Sequence, residues 1–304
     1  MATPSENIQQ NSIRAWILAA RPKTLTAAAV PVMVGAALAW KDAAAYEEGT
    51  FQWTAALLCL LFAFVMQIDA NFINDFFDYI NGADDKNTRL GPERACTQGW
   101  VTLNAMKNAI AGTTCVACLV GLPLIWFGGW EMIAVGAFCI LFCFLYTTHL
   151  ARLGLGDLLV LLFFGLVPVT MTYYVQLHTI TVEVVVASIA VGLVIDGLLL
   201  VNNFRDRHTD AAVGKTTLVV RVGEQAGIRI FLLTGIAAVM LMSVFAFYGN
   251  WMPLILSTLY LVCHVFTYLD MKRIWTGREL NACLAEAARN IFIFGLLITI
   301  GILL

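Results

Sequence analysis

The chain consists of long apolar stretches separated by shorter polar connections. A helix needs about 20 mostly apolar residues to cross a bilayer, and stretches near this length recur along the whole sequence. We read nine of them, over residues 24–40, 53–73, 105–127, 130–148, 158–177, 180–201, 228–248, 251–269 and 286–304. In lipid a chain has to satisfy its own backbone polar groups, as helices do. The pattern therefore predicts an all-α, polytopic membrane protein with nine transmembrane helices.

The charged residues support this topology independently. Only 12% of the 304 residues are charged, whereas soluble domains contain roughly 25%. If every predicted span crosses the bilayer, all 18 lysines and arginines except Lys41 fall on the same side. Because basic residues concentrate in cytoplasmic loops, the N-terminus and the long polar connections are predicted to be cytoplasmic. The net charge of −2 gives no sign of a nucleic-acid partner, and the sequence leaves the oligomeric state open.

Two long polar segments on the predicted cytoplasmic side, residues 74–104 and 202–227, resemble each other. Each follows an apolar helix and precedes a basic segment that contains glycine. Aligning "NDFFD" with "NNFRD" pairs Asn74 with Asn202, Phe76 with Phe204 and Asp78 with Asp206. We interpret them as an internal pseudo-repeat in which two similar helix ends face one cavity. The whole chain, residues 1–304, is then a single membrane domain.

Four carboxylates in these segments are spaced in pairs. Asp75 and Asp78 are three residues apart and Asp206 and Asp210 are four apart, so each pair shares one face of a continuing helix. Four converging carboxylates repel one another strongly in a low-dielectric cavity. Mg²⁺ relieves this repulsion, since it takes one or two carboxylates and completes its coordination with water and substrate phosphate. The spacing therefore predicts both Mg²⁺ and a phosphorylated ligand.

Basic residues are interleaved with these acids: Lys86, Arg89, Arg94, Arg205 and Lys215. Arginine binds phosphate oxygens in a planar, bidentate manner, and lysine acts as a point charge. Such a site at the mouth of an apolar bundle suits an amphiphile with a diphosphate head and an apolar tail. The alternative is a loop that is charged because water surrounds it, and this explains Asp84, Asp85 and Lys86 equally well.

Two further acids, Asp69 and Asp196, lie inside predicted spans. Ionisable groups at this depth are costly and usually face a cavity or a partner. They either act near a second substrate or satisfy buried polar neighbours such as Gln67 and Asn71. The residues alone leave both interpretations open.

The motifs together resemble a known family. "NDFFD" and "NNFRDRHTD" are similar to the paired Asp-rich motifs of the UbiA superfamily of intramembrane prenyltransferases. Four further segments, "RPKTL", "RLGPER", "GLGD" and "GKTTLVVRVGE", resemble its menaquinone branch, the 1,4-dihydroxy-2-naphthoate polyprenyltransferases. The matches extend from position 21 to position 224. Each is weak alone, but their order and spacing are specific.

The resemblance implies nine helices around a central cavity that opens sideways to lipid, in the cytoplasmic (inner) membrane of a bacterium. It assigns metal and diphosphate binding to Asn74, Asp75, Asp78, Asn203, Asp206 and Asp210. It assigns further diphosphate contacts to Lys23, Arg89, Arg94, Arg205 and Lys215. Two departures are evident: "YTTHLARLGLGD" lacks the Pro usual before "GLGD", and Asn203 stands where many members have Asp.

The implied reaction is Mg²⁺-dependent transfer of a polyprenyl group from polyprenyl diphosphate to 1,4-dihydroxy-2-naphthoate. CO₂ and diphosphate are lost, and the product is demethylmenaquinone. Metal and basic residues neutralise the leaving group, and an apolar cavity keeps water from the allylic cation. Either Tyr146 or a carboxylate assists deprotonation of the ring hydroxyl, and the residues do not decide between them.

Two other functions compete with this one. The same fold could prenylate another ring, such as 4-hydroxybenzoate or homogentisate. A cation-coupled carrier would instead use Asp69 and Asp196 as a mid-membrane ion site. Carriers usually contain broken helices at matching positions of their two halves, whereas the four prolines inside predicted spans, Pro31, Pro123, Pro168 and Pro253, are not paired in this way.

Overall fold

The structure is a computed structural model that describes residues 8–44, 50–82, 86 and 89–304. Asp84 and Asp85, which a solvated loop explains as well as a phosphate site does, lie outside the described residues. The α-helices are α1 (Ile13–Ala20), α2 (Leu25–Ala43), α3 (Trp53–Ile80), α4 (Leu103–Gly121), α5 (Ile125–Gly128), α6 (Glu131–Leu145), α7 (Gly156–Val160), α8 (Val167–Leu177), α9 (Val182–Ala212), α10 (Leu218–Val222), α11 (Glu224–Leu241), α12 (Ser243–Phe247), α13 (Met252–Ile274) and α14 (Leu280–Leu303).

Short helical turns join several of these helices into continuous spans. Turns of 3₁₀-helix cover Pro22–Thr24 and Leu122–Leu124, and π-helical turns cover Tyr146–Leu150 and Leu161–Leu166. Within the described residues, nine helical units are long and apolar enough to cross a membrane. The predicted all-α, nine-span architecture is confirmed, and the chain is an integral membrane protein.

The two motif-bearing helices are longer than the apolar pattern predicts. Helix α3 continues from the predicted end at residue 73 to Ile80, and α9 continues from residue 201 to Ala212. The length of an apolar run corresponds to the thickness of the lipid, and polar residues can extend the helix beyond the lipid into water. Both Asp motifs therefore lie on rigid helical extensions of the spans, not in loops.

Helix α9 forms the centre of the bundle. It packs against α2, α8, α11 and α14, and its side chains are buried along most of its length. The π-helical turn before α8 approaches α9 closely, because a Cβ atom added to Gly165 would lie 2.5 Å from the carbonyl oxygen of Ser188 and 2.7 Å from the Cα of Gly192. Two glycines thus bring the backbones of these spans into contact.

The junction between α1 and α2 is fixed by polar side chains of α3. Arg21 adopts a left-handed conformation (φ 50°) that ends α1, and Pro22 begins the following 3₁₀ turn. Asn71 donates hydrogen bonds to the carbonyl oxygen of Ala20 and to Oγ1 of Thr24, both at 3.0 Å. The segment "RPKTL" is consequently held against α3, above the buried part of the bundle.

The segment without the usual Pro folds as a π-helical turn followed by a tight connection. Gly154 has φ +76°, and a Cβ atom there would lie 2.3 Å from the carbonyl oxygen of Thr216. Backbone and side-chain groups of Thr216 also donate to the carbonyl oxygen of Arg152, both at 3.0 Å. The first glycine of "GLGD", Gly154, is therefore required, because the connection contacts the segment that follows α9 at this residue.

Candidate active site

A polar cavity of about 750 Å³ opens where α3 and α9 extend beyond the apolar part of the bundle. Its charged lining consists of Arg21, Lys23, Asp78, Arg89, Glu93, Arg94, Arg152, Arg205, Asp206, Asp210 and Lys215. Seven of these side chains are basic and four are acidic, so the cavity is suited to a ligand with several negative charges.

An apolar cavity of about 510 Å³ adjoins it inside the bundle. Its walls include Phe163 and Phe164, which lie in the π-helical turn before α8. Aliphatic residues of six spans complete the walls. Six residues line both cavities: Thr24, Asn74, Tyr146, Leu198, Leu199 and Asn202. The two cavities therefore meet at a shared wall, with a charged compartment on one side and a hydrocarbon-like one on the other.

The structure gathers most of the predicted site residues around the polar cavity. They come from positions 23 to 215 and are Lys23, Asn74, Asp78, Arg89, Arg94, Tyr146, Asn203, Arg205, Asp206, Asp210 and Lys215. The two segments compared above, one that begins within α3 and one that begins within α9, contribute to the same cavity. Asp75 is the predicted site residue that does not line it.

Asp75 points away from the cavity into the protein. The side chain is fully buried, and its two oxygens accept hydrogen bonds from the backbone N–H groups of Ala95 (2.8 Å) and Cys96 (3.2 Å). The connection after "RLGPER" folds back against this side of α3. Two of its backbone N–H groups, which would otherwise be unpaired, donate to the Asp75 carboxylate. This placement corrects the prediction that Asp75 and Asp78 face one site, and it gives Asp75 a structural role.

The remaining carboxylates of the motifs are paired with cations. Asp78 accepts a hydrogen bond from Arg94 at 2.9 Å, and Asp210 accepts one from Lys215 at 3.3 Å. Asp206 forms a two-pronged ion pair with its neighbour Arg205. In the part of the chain that the structure describes, no three acidic, histidine or cysteine side chains are grouped closely enough to form a metal site by themselves.

The donor set is nevertheless suitable for Mg²⁺ that arrives with a phosphorylated ligand. Such an ion needs one or two carboxylates, and water and phosphate supply the rest. The side chains of Asp78 and Asp206 are 30% and 28% exposed, respectively. Oδ2 of Asp210 is enclosed and has no hydrogen-bond partner among the described residues. An unsatisfied buried carboxylate oxygen is a site that a cation would satisfy.

A hydrogen-bonded connection between α9 and α14 shapes the "RLGPER" segment. Nη1 of Arg205 donates to Oδ1 of Asn281 at 2.8 Å, and Nδ2 of Asn281 donates to the carbonyl oxygen of Leu90 at 2.9 Å. A Cβ atom on Gly91 would lie 2.6 Å from Arg205. Burial, with a contribution from the nearby Arg94, lowers the pKa of Arg89 from 12.5 to about 10. A polyanion in the cavity would compensate this crowding of cations.

Tyr146 lies at the wall shared by the two cavities, in the π-helical turn that follows α6. Asn74 also lies there, and its Oδ1 accepts a hydrogen bond from Thr147 of the same turn. π-Helical turns are frequent at functional sites because they displace a side chain from the regular helix face. The turn thus places an ordinary tyrosine of a lipid-facing helix at the centre of the site.

The two deep acids have separate environments. Asp69 is fully buried and accepts hydrogen bonds from the hydroxyls of Thr113 and Thr114 on α4. Asp196 lies beside Asp157 of "GLGD", between α9 and α7. They share no ion site, and neither lines a described cavity. For Asp69 the interpretation as a satisfied buried group is confirmed, although its partners are threonines and not Gln67 or Asn71.

The cavity residues that were not predicted as site residues include Arg21, Gln67, Arg152 and Asn202. Arg21 precedes Lys23 in "RPKTL" and lines the polar cavity from the left-handed turn that ends α1. Asn202 is the partner of Asn74 in the motif alignment, and the alignment could have identified it. No sequence signal distinguishes Gln67 from other polar residues in the spans.

Comparison with known proteins identifies the family. The sequence matches the UbiA prenyltransferase family over residues 28–294. The chain belongs to the UbiA prenyltransferase family. It is 34% identical over 255 residues to a 1,4-dihydroxy-2-naphthoate octaprenyltransferase of Escherichia coli, with 80% of each chain covered. A Haemophilus influenzae protein of the same name is 29% identical over 316 residues, covering 99% of each chain.

The fold is also found in a solved UbiA family structure. A UbiA homolog from Archaeoglobus fulgidus, bound to DMAPP and Mg²⁺, superposes with a TM-score of 0.61. It is 12% identical to this chain, and the superposition covers 94% of this chain and 99% of that one. Membership of the family supports prenyl transfer over cation-coupled transport, and the acceptor is the remaining question.

Proposed function

We propose that this UbiA family member transfers a polyprenyl group from polyprenyl diphosphate to 1,4-dihydroxy-2-naphthoate, with loss of diphosphate and CO₂, to give demethylmenaquinol, the reduced form of demethylmenaquinone. The observation that carries the proposal is the junction of the two cavities at Asn74, Tyr146 and Asn202. The choice of acceptor is supported by the names of the E. coli and H. influenzae relatives.

The polar cavity would bind the diphosphate. Guanidinium groups give bidentate contacts to phosphate oxygens, and Arg89, Arg94 and Arg205 line the cavity with Lys23 and Lys215. Three of these cations are paired with carboxylates of the protein: Arg94 with Asp78, Arg205 with Asp206 and Lys215 with Asp210. Exchange of carboxylate for phosphate at these cations would release Asp78, Asp206 and Asp210.

We infer that Asp78, Asp206 and Asp210 would hold Mg²⁺ together with the diphosphate, while Asn74 and Asn203 supply neutral oxygens. The A. fulgidus homolog is bound to DMAPP and Mg²⁺, which supports the choice of ion. When bound, Mg²⁺ supplies charge stabilisation to the departing diphosphate. Asp75 has no part in this site, because its oxygens are occupied by Ala95 and Cys96.

The apolar cavity would hold the prenyl chain and exclude water from the reacting carbon. The C–O bond to diphosphate breaks, and a C–C bond forms between the prenyl C1 and the ring. If the ring carbon that bears the carboxylate is attacked, the departing CO₂ leaves its bonding electrons to the ring, and the sum consumes no proton. Tyr146 is placed at the junction to contact the ring or the leaving group, and either Tyr146 or a carboxylate assists deprotonation of the ring hydroxyl.

We further propose that residues 1–304 form one domain, whose two similar segments, 74–104 and 202–227, build one active site. The distribution of basic residues supports a cytoplasmic location of the N-terminus and of this site, and the bacterial relatives support the cytoplasmic (inner) membrane. Both substrates would then enter from the cytoplasm or its leaflet.

The test is product formation by purified protein in detergent. It is incubated with an all-trans prenyl diphosphate, carboxyl-labelled 1,4-dihydroxy-2-naphthoate and Mg²⁺, and prenylated product and labelled CO₂ are measured. Controls contain EDTA or the Asp78→Asn variant, and a parallel reaction contains 4-hydroxybenzoate. We expect product and CO₂ in equal amounts with the naphthoate and neither in the controls. Product only with 4-hydroxybenzoate would keep the reaction and refute the proposed acceptor.

A further inference from the structure

Gln67 lies in the wall of the apolar cavity and carries an unsatisfied hydrogen-bond acceptor. It lies on α3, seven residues and thus about two turns before Asn74, and it lines this cavity. The residue is 9% exposed, and Oε1 is enclosed with no hydrogen-bond partner among the described residues. Leaving such a group unpaired is costly, so it calls for a donor that the described residues do not provide.

The orientation of the Gln67 amide follows from its neighbours. Nε2 donates to Oγ1 of Thr24 at 3.2 Å, and Nδ2 of Asn71 donates to the same oxygen at 3.0 Å. The single hydroxyl proton of Thr24 is donated to the carbonyl oxygen of Arg21 at 2.9 Å. Thr24 can therefore only accept from Gln67. Exchanging the amide nitrogen and oxygen would bring two acceptors together, so the free group is the carbonyl oxygen.

The chemistry of the two substrates decides which of them can supply the missing donor. A prenyl chain carries no polar hydrogen, and an ionised diphosphate offers only acceptors. The carboxylate of the aromatic substrate is likewise an acceptor. The hydroxyl groups of the aromatic ring are the donors that remain, and they are attached to a flat apolar body that suits the cavity wall.

We propose that Oε1 of Gln67 accepts a hydrogen bond from a ring hydroxyl of the aromatic acceptor, and that this contact selects hydroxylated rings. The inference rests on the proposed function and adds an acceptor-binding residue to it. Thr24, the partner of Gln67, lines both cavities, so a ring held here lies next to the junction where the prenyl carbon is released. A ring without this hydroxyl leaves the amide oxygen unpaired, and sites of this kind reject such analogues strongly.

The test compares the Gln67→Met variant with wild type, using acceptors that differ in one hydroxyl. Met keeps the length of the side chain and removes the acceptor. KM is measured for 1,4-dihydroxy-2-naphthoate and for prenyl diphosphate, and inhibition constants are measured for 1-hydroxy-2-naphthoate and 4-hydroxy-2-naphthoate. We expect the variant to raise the KM of the dihydroxy acceptor roughly tenfold, equivalent to about 1.4 kcal/mol, without changing the KM of prenyl diphosphate. For the analogue that lacks the bonded hydroxyl, wild type and variant should bind equally.

Two control variants separate this contact from indirect effects. Gln176→Met makes the same chemical change at a glutamine outside the cavity, whose amide is fully paired with the backbone of Gln52. It should leave all constants unchanged. Asn71→Leu removes the other hydrogen bond to Thr24 and reports any loosening of the 22–24 turn. A loosened turn would weaken all acceptors alike, whatever hydroxyls they carry.

The outcomes are distinct for the inference and for the proposed function. If wild type converts the naphthoate but Gln67→Met weakens both mono-hydroxy analogues and the dihydroxy acceptor equally, the hydroxyl contact is refuted and the proposed function stands. An effect confined to the KM of prenyl diphosphate refutes it as well. If wild type converts no hydroxynaphthoate, the proposed function fails, and this inference fails with it.

Discussion

Oδ2 of Asp75 accepts a hydrogen bond from the backbone N–H of Ala95 at 2.8 Å, across twenty residues of sequence. Oδ1 accepts a second from Cys96 at 3.2 Å. Asp78, one turn later on the same helix, is instead paired with Arg94 at the cavity. Two acids of one motif thus have different tasks: Asp75 holds the connection after "RLGPER" in place, and Asp78 is available to ligands.

The pair of variants Asp75→Asn and Asp78→Asn separates these tasks. An amide at position 75 turns one acceptor into a donor facing a backbone N–H, so we expect a loss of about 1–3 kcal/mol in the free energy of unfolding. Asp78→Asn should unfold near the wild-type temperature but lose kcat/KM for prenyl diphosphate by about 100-fold or more. Thermal unfolding in detergent and steady-state kinetics measure the two effects. Equal stability of both variants would contradict the structural role of Asp75.

The pH dependence of Cys96 reports on the same contact. Burial, and then the adjacent Asp75 carboxylate, raise the pKa of the Cys96 thiol from its ordinary value near 9 to about 12. Because the unfolded chain releases this proton first, the contribution of Cys96 to stability is complete below pH 9 and is lost as the pH rises toward 12. We expect the alkylation rate of a variant that retains Cys96 alone to keep rising beyond pH 10. The same protein in denaturant should level off above pH 9. A folded-state plateau near pH 9 would contradict the prediction.

The sequence was sufficient for the number of spans, because spans are specified by apolar length, which composition records directly. It also identified eight of the eleven charged residues around the polar cavity, since helical spacing and motif resemblance both depend on local order. The ends of the helices were harder to predict. The polar ends of α3 and α9 carry no apolar signal, although they extend the helices to Ile80 and Ala212.

The sequence could not show in which direction each side chain of a motif points, or which distant segments are in contact. Asp75 and Asp78 share a helix face by spacing, and only the path of residues 94–101 decides which one is covered. Gln67 looks like any polar residue in a span until Thr24, 43 residues earlier, is placed against it. A single sequence does not reveal long-range contacts of this kind.

Removal of divalent metal should abolish turnover reversibly. EDTA is expected to stop prenyl transfer, and Mg²⁺ to restore it, while the thermal unfolding temperature of the substrate-free protein stays the same, because its carboxylates are already paired with cations. Asp210→Asn neutralises the enclosed carboxylate and should raise the Mg²⁺ concentration for half-maximal activity roughly tenfold, or about 1.4 kcal/mol. Activity in EDTA equal to that in Mg²⁺ would refute the metal requirement.

Close packing of the π-helical turn against α9 predicts a strong effect of one methyl group. A Cβ atom at Gly165 would lie within 2.7 Å of two α9 atoms, so Gly165→Ala should lower the free energy of unfolding by about 1–3 kcal/mol. Gly112→Ala is the matched control, because a Cβ atom there meets nothing within 4 Å on helix α4. It should be neutral or stabilising by about 0.5–1 kcal/mol through helix propensity. Thermal unfolding in one detergent compares them, and equal shifts would contradict this packing.

The apolar cavity should limit the length of the prenyl chain. Gly136 lines this cavity, and a Cβ atom there meets nothing within 4 Å, so Gly136→Phe adds a ring to free space without a clash at its base. If the prenyl chain occupies that space, kcat/KM for a long polyprenyl diphosphate should fall at least tenfold. The value for geranyl diphosphate, which fills less of the cavity, should change less than twofold. Gly136→Ala serves as the control for the backbone change and should behave as wild type with both donors. An equal loss for short and long donors would show that the chain leaves the bundle by another route, between helices into the lipid.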